Sequence, residues 1–141
     1  MTALEIDKRS TEMLRDQFGD RAEIVHGDGA SMPFDDGTFS SVVCFTMMHH
    51  VPTPALQDAI FAEALRVLRP GGLFRGTDSQ PSLRFRMLHI GDTMTVLDPG
   101  TLPARLDKTG FGAVRVEHEP KQYVAFSGRK PAPAGPAAPP A

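Results

Sequence analysis

The spacing of apolar residues changes several times along the chain, and each change predicts an element. Thr2 to Ile6 is a short extended apolar segment with no cap or turn before it. From Lys8 to Phe18 the spacing is helical: Met13, Leu14 and Phe18 fall on one face, and Gly19 is a natural stop. Ala22 to Val25 reads as a short strand ending at His26-Gly27-Asp28-Gly29. Residues 29–40 form a loop punctuated by Pro33, Asp35, Asp36 and Gly37. Val42 to Thr46 is continuously apolar, as in a strand covered on both faces.

Thr53 and Pro54 open the next helix as N-cap and first-turn proline. Leu56, Ile60, Ala64, Val67 and Leu68 make its predicted buried stripe, and Pro70-Gly71-Gly72 is expected to end it. Leu73 to Thr77 reads as a strand ending at Asp78. Beyond it, Ser82 to Ile90 and Gly100 to Thr109 are helix candidates. Gly112 to Glu119 and Gln122 to Gly128 alternate as two antiparallel strands around Pro120-Lys121. Strands alternating with helices imply an α/β fold with a doubly wound, mostly parallel sheet, here closed by an antiparallel C-terminal hairpin. Residues 131–141 contain only proline, alanine and one glycine, a composition that cannot build a core. The expected organisation is one domain over residues 1–129 and a disordered Pro/Ala-rich tail over 130–141.

Composition narrows the function. The 141 residues suffice for a single core. A net charge of −2 and no basic stripe argue against a nucleic-acid partner. The single cysteine, Cys44, excludes an intrachain disulfide framework and fits a reducing compartment. The longest apolar run, Ser41 to Met48, is far short of the ~20 residues of a membrane span. The first residues, Met1 to Asp7, carry acids where a secretory signal carries bases. These features predict a soluble, cytoplasmic protein with no membrane partner. Cys44 and the histidines do not form a metal-ligand spacing, so no metal site is expected.

Open α/β sheets bind ligands at the carboxyl ends of their strands, so polar residues there carry the chemistry. Glu5 ends the first strand, where a carboxylate can accept bonds from the vicinal hydroxyls of a ribose; it can equally be a solvated acid before a helix. Asp28 ends the next strand, where it can accept from an adenine amino group or bond its own turn. His49 and His50 follow the third strand, where a histidine serves either as pocket wall or as general base. Asp78 faces a substrate or caps the following turn.

Taken together these segments resemble the class I S-adenosylmethionine-dependent methyltransferases, in their type 11 branch. Ala3-Leu-Glu-Ile-Asp7 is similar to that family's second strand and ribose-binding acid. His26-Gly-Asp-Gly-Ala-Ser-Met-Pro-Phe34 resembles its adenine-holding segment. Phe39 to Val51 resembles its fourth strand and the turn beneath the methyl donor. Glu63-Ala-Leu-Arg-Val-Leu-Arg-Pro-Gly-Gly-Leu-Phe74 is close to its Glu-x-x-Arg-Val-Leu-Lys-Pro-Gly-Gly signature. The resemblance implies a Rossmann-like fold and S-adenosyl-L-methionine as cofactor. By it, Glu5 would hold the ribose and Asp28 the adenine amine. Ile6, Gly29 and Ala30 would pack around the adenine, and Phe45 and Thr46 would lie near the methionine end. The implied activity is methyl transfer to a small-molecule acceptor.

Two departures qualify the likeness. The family's first strand and Gly-x-Gly-x-Gly loop have no counterpart in this sequence, and Ser40 stands where an aspartate is usual. Without that central strand the N-terminally truncated domain is expected to be badly destabilised or rearranged, since unpaired buried backbone groups cost roughly 1–3 kcal/mol each. Met1 sits where the family often has valine, so the natural start is expected upstream. The alternative function is a non-catalytic methyltransferase-like remnant or interaction module. A nicotinamide-dependent reductase is a third reading, disfavoured by the Arg66 to Gly72 segment.

Overall fold

The computed structural model describes residues 1–81 and 94–133. Its elements, in chain order, are β1 (Thr2–Glu5), α1 (Lys8–Phe18), β2 (Glu23–His26), β3 (Phe39–Phe45), a single 3-10 turn (Met48–His50), α2 (Pro54–Val67), β4 (Leu68–Ser79), α3 (Leu102–Thr109), β5 (Gly112–Glu119) and β6 (Tyr123–Arg129). The helix expected at Ser82 to Ile90 and most of the Pro/Ala tail lie outside the described residues.

The strands form two sheets. β1 and β2 make a parallel pair, with Glu5 opposite His26. The second sheet has the order β3-β4-β6-β5, parallel between β3 and β4 and antiparallel from β4 onward. Thus β1 and β3 each keep one edge unpaired by any described strand. Among the described residues, then, the strands do not join into one sheet. α/β alternation and the closing hairpin appear as the apolar pattern predicts.

The core lies on one face of the second sheet, under α2 and α3. Alternation along the strands turns Val42 and Cys44 of β3, Phe74 of β4, and Val124 and Phe126 of β6 toward it. The rings of Phe61, Phe74, Phe111 and Phe126 pack at 5.3–6.1 Å between centroids, in edge-on, tilted and stacked contacts. Gly76 makes this possible. A Cβ there would lie 2.4 Å from Phe126 Cζ and 2.8 Å from Cys44 Sγ. Val43 and Phe45 point to the opposite face and are exposed.

β3 is covered on one face among the described residues, not on both as its apolar run predicts, since Val43 and Phe45 are exposed; three further readings of the sequence need correction. The buried face of α2 is Gln57, Ile60, Phe61, Ala64 and Val67. Leu56 is 41% exposed, because the face rotates toward the polar side chain of Gln57, which has hydrogen-bond work to do. Likewise Met13 of α1 is exposed, and Thr11 takes the inner position with Leu14 and Phe18 beside it. Pro70-Gly71-Gly72 does not terminate the helix. α2 ends at Val67, and Leu68 already pairs with Phe39. Pro70 and the residue before it favour extended backbone. β4 then bulges, with four residues (69–72) between paired positions where β3 has one (Ser40), and Gly71 at φ +78°.

Candidate functional site

The carboxyl ends of β1 and β2 bring Glu5 and the Asp28 turn side by side through their parallel pairing. The Gly27 N–H donates to the Glu5 carbonyl at 2.9 Å, continuing the ladder past the strand ends. Glu5 is half-buried, and its Oε1 accepts the Asp7 N–H at 2.8 Å. Asp7 caps α1 by accepting the Ser10 N–H at 2.7 Å, which holds its carboxyl below the usual range. Asp28 caps its own turn: Oδ1 accepts the Ala30 N–H at 2.8 Å and its carbonyl accepts the Ser31 N–H at 3.0 Å. Each carboxylate keeps a second oxygen that accepts nothing from the described residues.

The flanking glycines are set by close approach. A Cβ on Gly27 would lie 2.9 Å from Leu4 Cδ1, and one on Gly29 would touch Ile60 of α2. Gly29 and Ala30 therefore lie between the β1–β2 unit and the larger core, against which Ala30 packs. Ile6 is exposed, and its carbonyl lies 3.1 Å from the His26 ring Nε2.

A second cluster forms at the carboxyl ends of β3 and β4. Phe45 is 56% exposed, and Thr46 turns the chain at φ +48° while its N–H donates to the Thr77 carbonyl at 2.8 Å. Met48 enters the core and Met47 stays at the rim. His49 is buried, with its backbone N–H donating to Asp78 Oδ2 at 2.8 Å and its ring Nδ1 bonded to Asp78 Oδ1. The exposed His50 ring lies against it, 4.1 Å between centroids. Gln57 holds the same turn from α2, donating to the Met48 carbonyl at 2.9 Å and the Thr95 carbonyl at 2.7 Å. Burial, and then the Asp78 carboxylate, push the Cys44 thiol up to about 12, so it is an inert thiol at neutral pH.

The loop that follows Asp28 is tied to α2 by the Glu63–Arg66 pair. Arg66 donates from Nε to Glu63 Oε1 (2.7 Å), from Nη1 to the Phe34 carbonyl (2.7 Å) and Asp36 (2.8 Å), and from Nη2 to the Met32 carbonyl (3.0 Å). Glu63 Oε2 accepts the Met32 N–H at 2.7 Å. Arg66 holds the Glu63 carboxyl below its ordinary value, and the two acids raise the guanidinium in turn. The Glu-x-x-Arg spacing thus pins the loop after Asp28 to α2.

The family described as "Methyltransferase domain" matches residues 1–75, just over half of the sequence. The chain belongs to this family. Among relatives, a sterol 24-C-methyltransferase from Kluyveromyces lactis is 34% identical over 70 residues, covering 50% of this chain and 18% of that protein. A fatty-acid O-methyltransferase from Mycolicibacterium smegmatis is 41% identical over 59 residues, covering 42% of this chain and 20% of that protein. The matched stretch thus spans about a fifth of either relative's length.

In fold, this methyltransferase domain is similar to a SAM-dependent methyltransferase from Methanosarcina mazei (TM-score 0.73, 17% identity, 93% of this chain and 82% of that one). It is also similar to PigF, solved with SAH (TM-score 0.70, 19% identity, 92% and 43%). Both likenesses establish the Rossmann-like fold.

Sequence reasoning missed three residues of the site. Gln57 drew no attention among the apolar positions of α2. The Glu63–Arg66 pair looked only like a signature, although its (i, i+3) spacing already places a carboxylate and a guanidinium on one helix face. Of the apolar cover that Phe85, Met87, Leu88, His89 and Met94 suggest, the first four lie outside the described residues and Met94 is half-buried.

Proposed function

We propose that this chain serves methyl transfer from S-adenosyl-L-methionine to a small-molecule acceptor. The observation that supports it most is the parallel β1–β2 pair. It sets two carboxylates at adjacent strand ends, each with an oxygen left for a ligand, beside a glycine turn that admits no side chain at Gly27. Glu5 would accept the ribose hydroxyls and Asp28 the adenine amino group. Gly29, Ala30 and Ile6 would flank the base, and Phe45 and Thr46 would stand at the methionine end. When bound, the cofactor supplies an electrophilic methyl group on a sulfonium. The chain's own part is to bind and orient, where effective molarities reach ~10⁵ M or more. The small acceptor is in keeping with relatives named for a sterol and a fatty acid.

The divided sheet favours one second reading, a non-catalytic member of the family that keeps the fold but binds no cofactor. Calorimetric titration with S-adenosylhomocysteine, with Glu5→Ala alongside, separates the two. Micromolar binding that Glu5→Ala abolishes supports the methyl-donor site. Absence of binding by a chain with a folded circular dichroism spectrum supports the non-catalytic reading.

A further inference from the structure

The larger sheet gathers arginines on the face that looks away from its core. Along β4, Leu73 and Arg75 point outward, alternating with buried Phe74 and Gly76. Along β6, Ser127 and Arg129 do the same, alternating with buried Phe126 and Gly128. β5 joins them through a bulge. Gly112 pairs with Arg129 and the next paired position is Arg115 with Ser127, so β5 has two residues between pairs where β6 has one. Ala113 turns the strand there at φ +51°, a left-handed backbone that residues with a Cβ rarely adopt. Strict alternation from Gly112 would turn Arg115 to the core. The bulge brings it outward instead, and Val114 and Val116 pack against the core.

Ser127 is the cross-strand neighbour of both Arg75 and Arg115. The two arginines therefore stand two strand spacings apart, roughly 10 Å between Cα atoms, with a hydroxyl between them. Arg129 is the next outward residue along β6. Its Nη1 donates to the Gly71 carbonyl at 2.9 Å, which orients the guanidinium and leaves its other donors. Arg115, Ser127 and Arg129 line a depression of about 250 Å³ with Leu73 and Ala113. Among the described residues, no side-chain hydrogen bond or ion pair engages Arg75, Arg115 or Ser127. Like charges on neighbouring strands repel, so the cluster lacks a counter-ion from its own sheet.

The geometry points to a binding site for the phosphate group of a phosphate monoester. Guanidiniums on either side of a hydroxyl, with a third at the end of the depression, suit an anion with more than one charge and three acceptor oxygens. A long polyanion fits less well. Glu117 and Glu119 hold the next outward positions of β5, opposite Ala125 and Tyr123, and would repel it. The depression lies toward the amino end of β4, whereas the proposed methyl-donor contacts lie at the carboxyl ends of β1, β2 and β3. The site therefore stands whether or not that reading does.

The test is titration of the intact chain with glycerol 3-phosphate at constant ionic strength, read from the amide resonances of Arg115, Ser127 and Gly128, with acetate as a carboxylate control. In a second arm, phosphatidylcholine vesicles with and without phosphatidic acid present the same monoester on a lipid, and bound chain is read by sedimentation. Binding is expected to saturate, and to weaken about tenfold or more in Arg75→Gln and in Arg115→Gln. Lys108→Gln removes the same charge from α3, on the core side of the sheet, and is expected to leave binding unchanged. All three side chains are exposed, so the variants keep the fold, which their remaining amide resonances verify. A response to glycerol 3-phosphate supports a soluble ester. Capture only by vesicles that contain phosphatidic acid, lost in Arg115→Gln, supports a lipid headgroup. No binding in either arm overturns the proposal. So does a response that acetate reproduces, or one that Lys108→Gln weakens as much as Arg115→Gln, since diffuse charge would then account for it.

Discussion

The β1–α1–β2 unit and the β3–β4–β6–β5 sheet are built to different standards. The first is a two-stranded parallel pair with one helix, and its buried residues are Thr11, Ala22 and Ile24. The second has four strands, two helices and four packed phenylalanine rings. Yet Glu5, Asp28 and their glycines belong to the weaker unit or to the loop that leaves it. The larger sheet supplies stability and the histidine turn, and the smaller one supplies the proposed nucleotide contacts. Ligand-binding segments are drawn from the low-stability end of a fold, and a bound ligand stabilises whatever it holds.

The largest test of this contrast is a pair of core truncations. Phe61→Ala removes a fully buried ring of the aromatic cluster and should cost about 3–5 kcal/mol. Against a typical total of about 5–15 kcal/mol, urea unfolding should show collapse of the whole chain. Ile24→Ala, in the thin unit, should cost nearer 2 kcal/mol, the low end for such a change. Its effect should be local. Hydrogen exchange should quicken at β1 and β2 amides and leave β4 and β6 amides protected. Equal acceleration in both sheets would show that the two units open as one.

Arg66→Ala tests the tether between the units and should have the next effect. It leaves the Met32 and Phe34 carbonyls and the Glu63 carboxylate without their guanidinium, at about 1–2 kcal/mol for partly exposed acceptors. The loop at 28–37 should then exchange faster, and any S-adenosylhomocysteine affinity should fall without loss of β3–β4 structure.

Much of this division is legible in the sequence. Periodicity locates β5, β6, α1 and α3 to within two residues, whereas a further strand between β1 and β3 is implied by the family resemblance alone. Where it misleads, a polar group with a buried task has outweighed hydrophobicity. Gln57 displaces Leu56 from the inner face because two backbone carbonyls need its amide. Thr11 displaces Met13 because its hydroxyl donates to the Asp7 carbonyl at 2.8 Å. The Pro70-Gly71-Gly72 bulge reads as a helix stop because turn residues look alike whether a chain leaves a helix or loops out of a ladder. Of the site, strand-end acids are readable from position alone. The His49–Asp78 pairing spans 29 residues and depends on the register of β3 against β4, which no local pattern carries.

The smallest expected effect is electrostatic, and it isolates the tether's charge from its geometry. The Glu63 carboxyl is held below its ordinary 4.5, first by the Arg66 hydrogen bond and next, against the opposing cost of burial, by the Met32 N–H. A depressed carboxyl contributes stability that is complete above its unfolded value. That contribution is lost as the pH falls through the lower folded value. The unmodified chain should therefore lose under about 1 kcal/mol of stability below pH ~4.5 from this group, beyond the common loss from Asp7 and other acids. In Glu63→Gln the amide oxygen can still accept the Met32 N–H, so the loop keeps its place while the charge is gone. Urea midpoints measured from pH 6 to pH 3 should fall less steeply for Glu63→Gln than for the unmodified chain. Parallel slopes would mean that Arg66 draws its hold on the loop from the Met32 and Phe34 carbonyls and Asp36, and that Glu63 adds nothing the uncharged amide does not.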